Sequence, residues 1–301
     1  MFEFFLGEAQ KEGKLDWEKN TFLAPYSSFG IGGVSDFIVF PKDTETLVNV
    51  MKKADEYCIR KTVFGNATNV LFSDNGFRGV TIFTSRMKSV RFDGEYIYAE
   101  SGANLVTLSH SAASRGLSGL EFAAGIPGTV GGAVFMNAGA YGSDMSSVVV
   151  SSDSVDPVTY TKKTITADEH LFGYRTSVYK DNGYIITGCR LRLVYDKEEN
   201  IRARMKEYND KRRQTQPYDK KSAGSTFKRM EGYITAKLID EAGLKGTRVG
   251  GAEVSTKHAG FIVNNGNATS SDVKSLINIV REKILNRFGV EIECEIIIAE
   301  E

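Results

Sequence analysis

The segment Gly125-Ile126-Pro127-Gly128-Thr129-Val130-Gly131-Gly132-Ala133, followed closely by Asn137-Ala138-Gly139-Ala140-Tyr141-Gly142, concentrates glycine in an otherwise ordinary chain. Without a Cβ the backbone takes positive φ and exposes successive N–H groups, the arrangement that forms a concave anion nest. A phosphate-bearing ligand suits this spacing. A second candidate lies upstream, where Gly65-Asn66-Ala67-Thr68-Asn69 follows the short apolar run Thr62-Val63-Phe64 and places small, amide-bearing residues on a turn that can meet a pyrophosphate. For any one of these glycines the competing reading is a turn in a β-rich core. Glu121, Pro127 and the glycine density argue against a membrane span.

Common nucleotide fingerprints do not account for the pattern. Gly30-Ile31-Gly32-Gly33-Val34-Ser35 approaches G-x-G-x-x-G but fails at its last position, and no G-x-x-x-x-G-K-[ST] loop is present. A different dinucleotide scaffold is implied. Thirty-eight basic residues balance thirty-eight acidic ones, so no overall field favours nucleic acid or an anionic membrane. His110, His170 and His258 are scattered, as are Cys58, Cys189 and Cys294, and no metal-ligand spacing occurs; no metal is expected. The unpaired cysteine count and an N-terminus without a cationic start or cleavage site lead us to expect a cytoplasmic protein.

Elements that could position these loops follow from periodicity. Phe37-Ile38-Val39-Phe40 reads as a strand and is followed by a helix with Leu47, Val50, Met51 and Ala54 on one face, capped near Asp43-Thr44. Asp93-Gly94 reads as a hairpin turn between short strands, and Leu105 to Arg115 as a helix ended by Gly116. Strands are expected at Ser146–Ser152 and Tyr184–Val194, then a charged helix near Lys197–Arg213 that marks a domain boundary. Beyond it come a helix at Thr235–Ala242, a strand at Ala259–Val263, a helix with Val273, Leu276, Ile277, Val280 and Ile284 on one face, and an alternating strand from Val290 to Ile298. The expected division is an N-terminal segment 1–20, one α+β domain over 21–195, and a second over 196–301.

Nine segments, in order, resemble the UDP-N-acetylenolpyruvoylglucosamine reductase family, within the vanillyl-alcohol-oxidase-like flavoprotein superfamily. They are Ser28–Gly33, Gly65–Leu71, Gly125–Gly132, Asn137–Gly142, Tyr174–Lys180, Ser222–Lys228, Glu241–Gly246, Gly250–Ser255 and His258–Asn264, with Glu293-Cys294-Glu295 closing the series. The resemblance implies an α+β fold with a two-subdomain FAD-binding region of the PCMH type and a C-terminal α+β substrate domain. Cofactor contacts are expected from Gly65, Asn66, Ala67, Thr68, Asn69, Gly125, Ile126, Pro127, Gly128, Thr129, Gly131, Gly132, Asn137, Ala138 and Gly139. Neither histidine nor cysteine occurs in the Gly65 and Gly125 loops, so non-covalent FAD is expected. Met230 stands where the family commonly has proline, and the chain lacks the inserted tyrosine-bearing loop of the longer branch, so it is similar to the shorter one.

The family reaction reduces the enolpyruvyl ether of a UDP-sugar to a lactyl ether, with NADPH as co-substrate, in peptidoglycan precursor synthesis. By resemblance Ser225 donates the proton, while Arg175 and Glu295 complete the catalytic site; a guanidinium offers planar donors matched to the substrate carboxylate. Tyr174, Arg213, Lys228, Lys245 and His258 are the substrate-binding candidates. Read alone, Ser225 is a loop hydroxyl and Arg175 a surface ion-pair residue; the surrounding motifs reverse those readings. A UDP-sugar is the expected partner, with no nucleic acid and no membrane, and the protein is expected to be a monomer or weak homo-oligomer. One rival is a superfamily oxidase acting on an alcohol or sugar. Another is a binding or regulatory protein without turnover.

Overall fold

The fold comes from a computed structural model that describes residues 1–230 and 232–299. The chain forms two compact units built from discontinuous stretches. Met1–Lys19, Phe37–Asn66 and Gly79–Lys211 form the first; Asn20–Asp36, Ala67–Arg78 and Arg212–Glu301 form the second. The chain is thus interleaved where the sequence suggested contiguous bodies 1–20, 21–195 and 196–301.

In the first unit the helix Thr44–Glu56 begins where its cap predicts, with the Asp43 carboxylate accepting the Thr46 N–H at 2.7 Å. Leu47, Val50, Met51 and Ala54 are fully buried and share a core with Leu6, Leu15, Val39, Val80 and Ile82. The accompanying sheet has the order Leu15–Phe22, Val34–Pro41, Phe77–Phe83, Lys61–Phe64, the last two strands pairing in parallel. A second sheet is wholly antiparallel, in the order Lys162–Thr166, Val149–Val155, Ile185–Arg192, Tyr96–Glu100, Val90–Asp93. Its hairpin turns at Asp93-Gly94 as expected, with Asp93 opposite Tyr96. The strand expected from Ser146 starts later, at Val149, because the Asp144 carboxylate caps Ser146 and sets a tight turn over Met145–Ser147. The helix Glu198–Thr215 buries Ile201 and Met205 against Ala113 and Ala124, while Arg204 bonds Glu121 and Asp196 at 2.7 Å each. These contacts hold the charged helix to the first unit as far as Lys211.

The second unit has an antiparallel sheet of Arg248–Val249, Ala252–Val254 and Ile262–Asn264. The helix Ser270–Phe288 packs in the same core, starting at a Thr269–Asp272 capping box and stopping at Gly289, whose φ of 67° is left-handed. Asp74 adds to the helix start by accepting the N–H groups of Ser270 and Ser271 at 2.6 and 2.9 Å. The strand expected from Ala259 begins only at Ile262, since Phe261 N–H turns back to the His258 carbonyl. The long strand expected over Val290–Ile298 is also corrected. Burial follows the period only over Glu291–Glu293 and at Ile296, with Ile292 and Ile296 buried, Glu291 and Glu293 exposed, and Cys294 and Glu295 both half-buried; only Ile297–Ala299 forms a ladder, parallel to Val70–Phe72. Upstream its neighbour around Phe227 is extended too briefly for more than one bridge, Phe227 to Cys294. Among the described residues no helix is long and apolar enough to cross a membrane.

Candidate active site

The glycine loops of the first unit meet through a contact that a methyl group would destroy. A Cβ on Gly65 would lie 2.3 Å from Thr129 Oγ1, and one on Gly131 would lie 2.8 Å from Ser101 Cβ and 3.1 Å from the Ser101 carbonyl oxygen. Thr129 is itself fixed, because its hydroxyl oxygen caps the helix Val130–Phe135 by accepting the Gly132 N–H at 3.2 Å. The amides of Val130 and Gly131 donate to the carbonyls of Ala103 and Ser101. These three N–H groups are therefore consumed inside the unit and hold the loop rigid. Gly65 packs directly on Thr129, so glycine supplies a rigid junction of two backbone loops free of bulky side chains, which suits a flat or phosphate-bearing group lying against the main chain. That fits FAD, with Gly65, Asn66 and the Gly125–Gly132 stretch as the residues of this unit that would hold it.

Asn137 plays a different part from a ligand-facing amide. It is buried with a left-handed φ of 40°; its Nδ2 donates to Gly173 O and Asp144 Oδ2 at 3.0 and 3.1 Å, and its Oδ1 accepts the Ser146 N–H at 2.9 Å. Any flavin contact from Asn137 is thus left to its backbone. Its bond to Gly173 places the segment that carries Tyr174 and Arg175. Arg175 also holds a left-handed backbone, φ 55°, and its Nη2 donates to the Gly139 carbonyl at 3.0 Å while its own carbonyl accepts from Lys180 Nζ at 2.6 Å. The guanidinium lies 5.1 Å from the Tyr174 ring centre, and that ring is about half exposed. Left-handed non-glycine residues concentrate strain of about 1–3 kcal/mol each, which persists only where the surroundings over-determine it.

In the second unit Ser225 and Glu295 come together through the backbone of Thr226. The Thr226 carbonyl accepts the Glu295 N–H at 2.7 Å, and Lys228 N–H donates to Glu293 O at 2.9 Å, so the Ser225–Lys228 and Glu293–Glu295 stretches run side by side. Asn69 clamps the same stretch, its Nδ2 donating to Glu295 O at 3.2 Å and its carbonyl accepting the Ile297 N–H. Thr226 bonds a third element as well: its N–H donates to Gly260 O, and its buried hydroxyl oxygen accepts the Ile262 N–H at 3.0 Å. Sequence reasoning missed this residue. Its only signal was its place beside Ser225 in Gly224-Ser225-Thr226.

His258 is drawn into this cluster by the turn that Thr226 anchors. Its Nδ1 accepts the Gly260 N–H at 3.1 Å, which leaves Nε2–H as the ring's donor. Burial lowers its pKa, its own backbone pulls the other way, and the nearby Lys245 and Arg229 charges lower it further, so the ring is neutral near pH 7. Lys228 and Lys245 form ion pairs with Glu293 and Asp240 at 2.7 and 2.6 Å, both partly solvated. Pairs of this kind stabilise little and can be exchanged for an anionic ligand. Arg213 has an exposed side chain, and its carbonyl accepts from Lys257 Nζ. Of the catalytic candidates, then, Ser225 and Glu295 share one unit with Lys228, Lys245, His258 and Arg213, while Arg175 and Tyr174 belong to the other.

Comparison with known proteins shows the family to which the chain belongs. Residues 35–163 match an FAD binding domain, and residues 216–299 match the C-terminal domain of UDP-N-acetylenolpyruvoylglucosamine reductase. A reductase of that name from Lactiplantibacillus plantarum is 43% identical over 282 residues, covering 94% of this chain and 93% of the relative. Its counterpart from Caldanaerobacter subterraneus is 42% identical, covering 97% and 95% respectively. The crystal structure of the Thermus caldophilus reductase is similar, with a TM-score of 0.81 at 33% identity over 95% of this chain and 99% of that one. The expected flavin-binding region and C-terminal α+β domain are both borne out. By sequence and by fold alike, the chain belongs to the UDP-N-acetylenolpyruvoylglucosamine reductase family of FAD-dependent oxidoreductases.

Proposed function

We propose that this protein reduces the enolpyruvyl ether of UDP-N-acetylglucosamine to UDP-N-acetylmuramate, with NADPH as co-substrate, in cytoplasmic peptidoglycan precursor synthesis. The observation that carries the reading is the juxtaposition of Ser225 and Glu295 through Thr226, two residues far apart in sequence brought onto neighbouring stretches of the second unit. Bound FAD would supply the hydride chemistry between NADPH and the terminal methylene carbon of the enolpyruvyl group.

This chain's residues supply the rest. Negative charge develops on the neighbouring carbon and its carboxylate, so a proton donor and a cation are required. Ser225 Oγ–H donates the proton; a hydroxyl suffices because the carbanionic centre is strongly basic. Ser225 is half-buried beside Gly224, whose N–H donates to Ser222 Oγ at 3.4 Å. Arg175 presents its planar donors to the carboxylate, and Glu295 completes the site. Lys228, Lys245, Arg213 and the Nε2–H of His258 bind the diphosphate, with Tyr174 against the sugar nucleotide. In this reading residues 21–195 hold the flavin and also supply Arg175 and Tyr174 to the substrate, residues 196–301 supply the other substrate contacts, FAD is non-covalent, and the protein acts as a monomer or weak homo-oligomer.

Ser225→Ala tests the assignment. Flavin reduction by NADPH stays near the parental rate, whereas flavin reoxidation by the enolpyruvyl substrate slows by orders of magnitude. Equal loss in both half-reactions would remove Ser225 from the proton-donor role.

A further inference from the structure

The first unit contains a chain of buried polar groups outside the residues discussed so far. Ser152 Oγ lies 2.6 Å from His170 Nε2 and 2.6 Å from Tyr179 Oη, and all three residues are essentially inaccessible to solvent. The imidazole stacks on Phe172 at 4.6 Å, and its Nδ1 has no hydrogen-bond partner among the described residues. Burial lowers the imidazole pKa against weaker pulls from the Ala167 and Thr166 backbones and Glu169, so the ring is a neutral link. Buried polar chains of this kind rigidify and specify a geometry rather than adding much stability.

Their position in the sequence shows which geometry is specified. His170 and Tyr179 stand at the two ends of the segment that carries Tyr174 and Arg175, and both are tied to one hydroxyl on the strand Val149–Val155. The ends are closed on each other by Val178 N–H donating to His170 O at 2.7 Å. Within the loop, Asn137 holds Gly173 O and Ser177 Oγ donates to Phe135 O at 2.8 Å. The residue held between these fixed points is Arg175, whose left-handed backbone would relax if they loosened.

We infer that Ser152, His170 and Tyr179 are positioning residues for Arg175, fixing the base of the 170–179 loop so that the guanidinium meets the substrate carboxylate. The inference rests on the role given to Arg175 above. Its test compares Ser152→Ala, Ser152→Thr and the milder Tyr179→Phe with Arg175→Lys, each as FAD-loaded protein. Two readouts are used: the separate rates of flavin reduction and of reoxidation by the enolpyruvyl substrate, and amide hydrogen exchange over residues 168–180.

Expected results for Ser152→Ala and Tyr179→Phe are reoxidation slowed by about ten-fold, the effect of one lost buried hydrogen bond. Reduction by NADPH stays within about two-fold, exchange in the loop quickens, and Ser152→Thr restores parental behaviour. If Arg175→Lys slows reoxidation while Ser152→Ala and Tyr179→Phe leave it unchanged, the positioning role is overturned and the role of Arg175 stands. If Arg175→Lys itself has no effect, both fall. Equal losses in the two half-reactions, with release of FAD, would make the chain of polar groups a general structural support and would likewise overturn the inference.

Discussion

Gly65→Ala tests the junction of the two glycine loops most sharply, because the obstacle is a single atom. The new Cβ would lie 2.3 Å from Thr129 Oγ1 and 3.4 Å from Thr129 Cβ and Cγ2. Only rotation of Thr129 or displacement of a loop relieves this contact. Rotation gives up the cap on Gly132, about 1 kcal/mol; crowding in a close-packed site costs about 1–3 kcal/mol more. Together these come to about 2–4 kcal/mol, or about 30- to 700-fold in FAD dissociation constant if the strain falls on the flavin-competent loop. Flavin fluorescence quenching on titration of the apoprotein measures it, with apoprotein melting as control. A double-mutant cycle with Thr129→Ala identifies the cause. Removing Oγ1 removes the obstacle, so the double variant binds FAD about as well as Thr129→Ala alone. Gly65→Ala with parental FAD affinity and melting, or strictly additive losses in the cycle, would refute the contact as the reason for glycine at 65.

Other predictions concern the second unit and the charged helix. Thr226→Val leaves the buried Ile262 N–H without its acceptor, at a cost of about 1–3 kcal/mol; it lowers the denaturation midpoint and slows reoxidation more than reduction, while Thr226→Ser retains both. Lys228→Gln breaks a partly solvated pair with Glu293 and leaves melting nearly unchanged, but raises KM for the UDP-sugar with little change in kcat; an unaltered KM would remove Lys228 from the diphosphate site. Glu121 is pushed up by burial but pulled down further by Arg204 and by N–H and hydroxyl donors around it, so its folded pKa is depressed. The stabilisation is complete above the unfolded value of ~4.3 and is lost as pH falls through the folded value. Urea midpoints between pH 7 and 3 fall more steeply below that point for the parent than for Glu121→Gln, and parallel curves would contradict the assignment.

Local signals in the sequence were reliable where one side chain or one period decides the outcome. Asp43 caps its helix, Gly289 ends another, and the buried stripe from Val273 to Ile284 lies where its spacing puts it. Ser225, Arg175 and Glu295 were legible only through the order of motifs, since none has a local pattern of its own. What stayed hidden depends on long-range pairing. Residues 20–36 and 67–78 join the second unit because Val70–Phe72 pairs with Ile297–Ala299, Asp74 caps the helix at Ser270, and Ser28 Oγ donates to Ser222 O at 2.7 Å. No periodicity within those short segments reports partners so distant. The alternation at Val290–Ile298 predicted the burial of Ile292 and Ile296 but not the half-burial of Glu295, and it did not predict the short ladder, because a strand also needs a neighbour extended over the same length.

The most direct measurement is anaerobic stopped-flow absorbance of the FAD-loaded protein, first reduced with NADPH and then mixed with UDP-N-acetylglucosamine enolpyruvate. The account predicts rapid return of the oxidised flavin band with formation of UDP-N-acetylmuramate. A band that stays bleached until oxygen is admitted would contradict it and identify an oxidase instead.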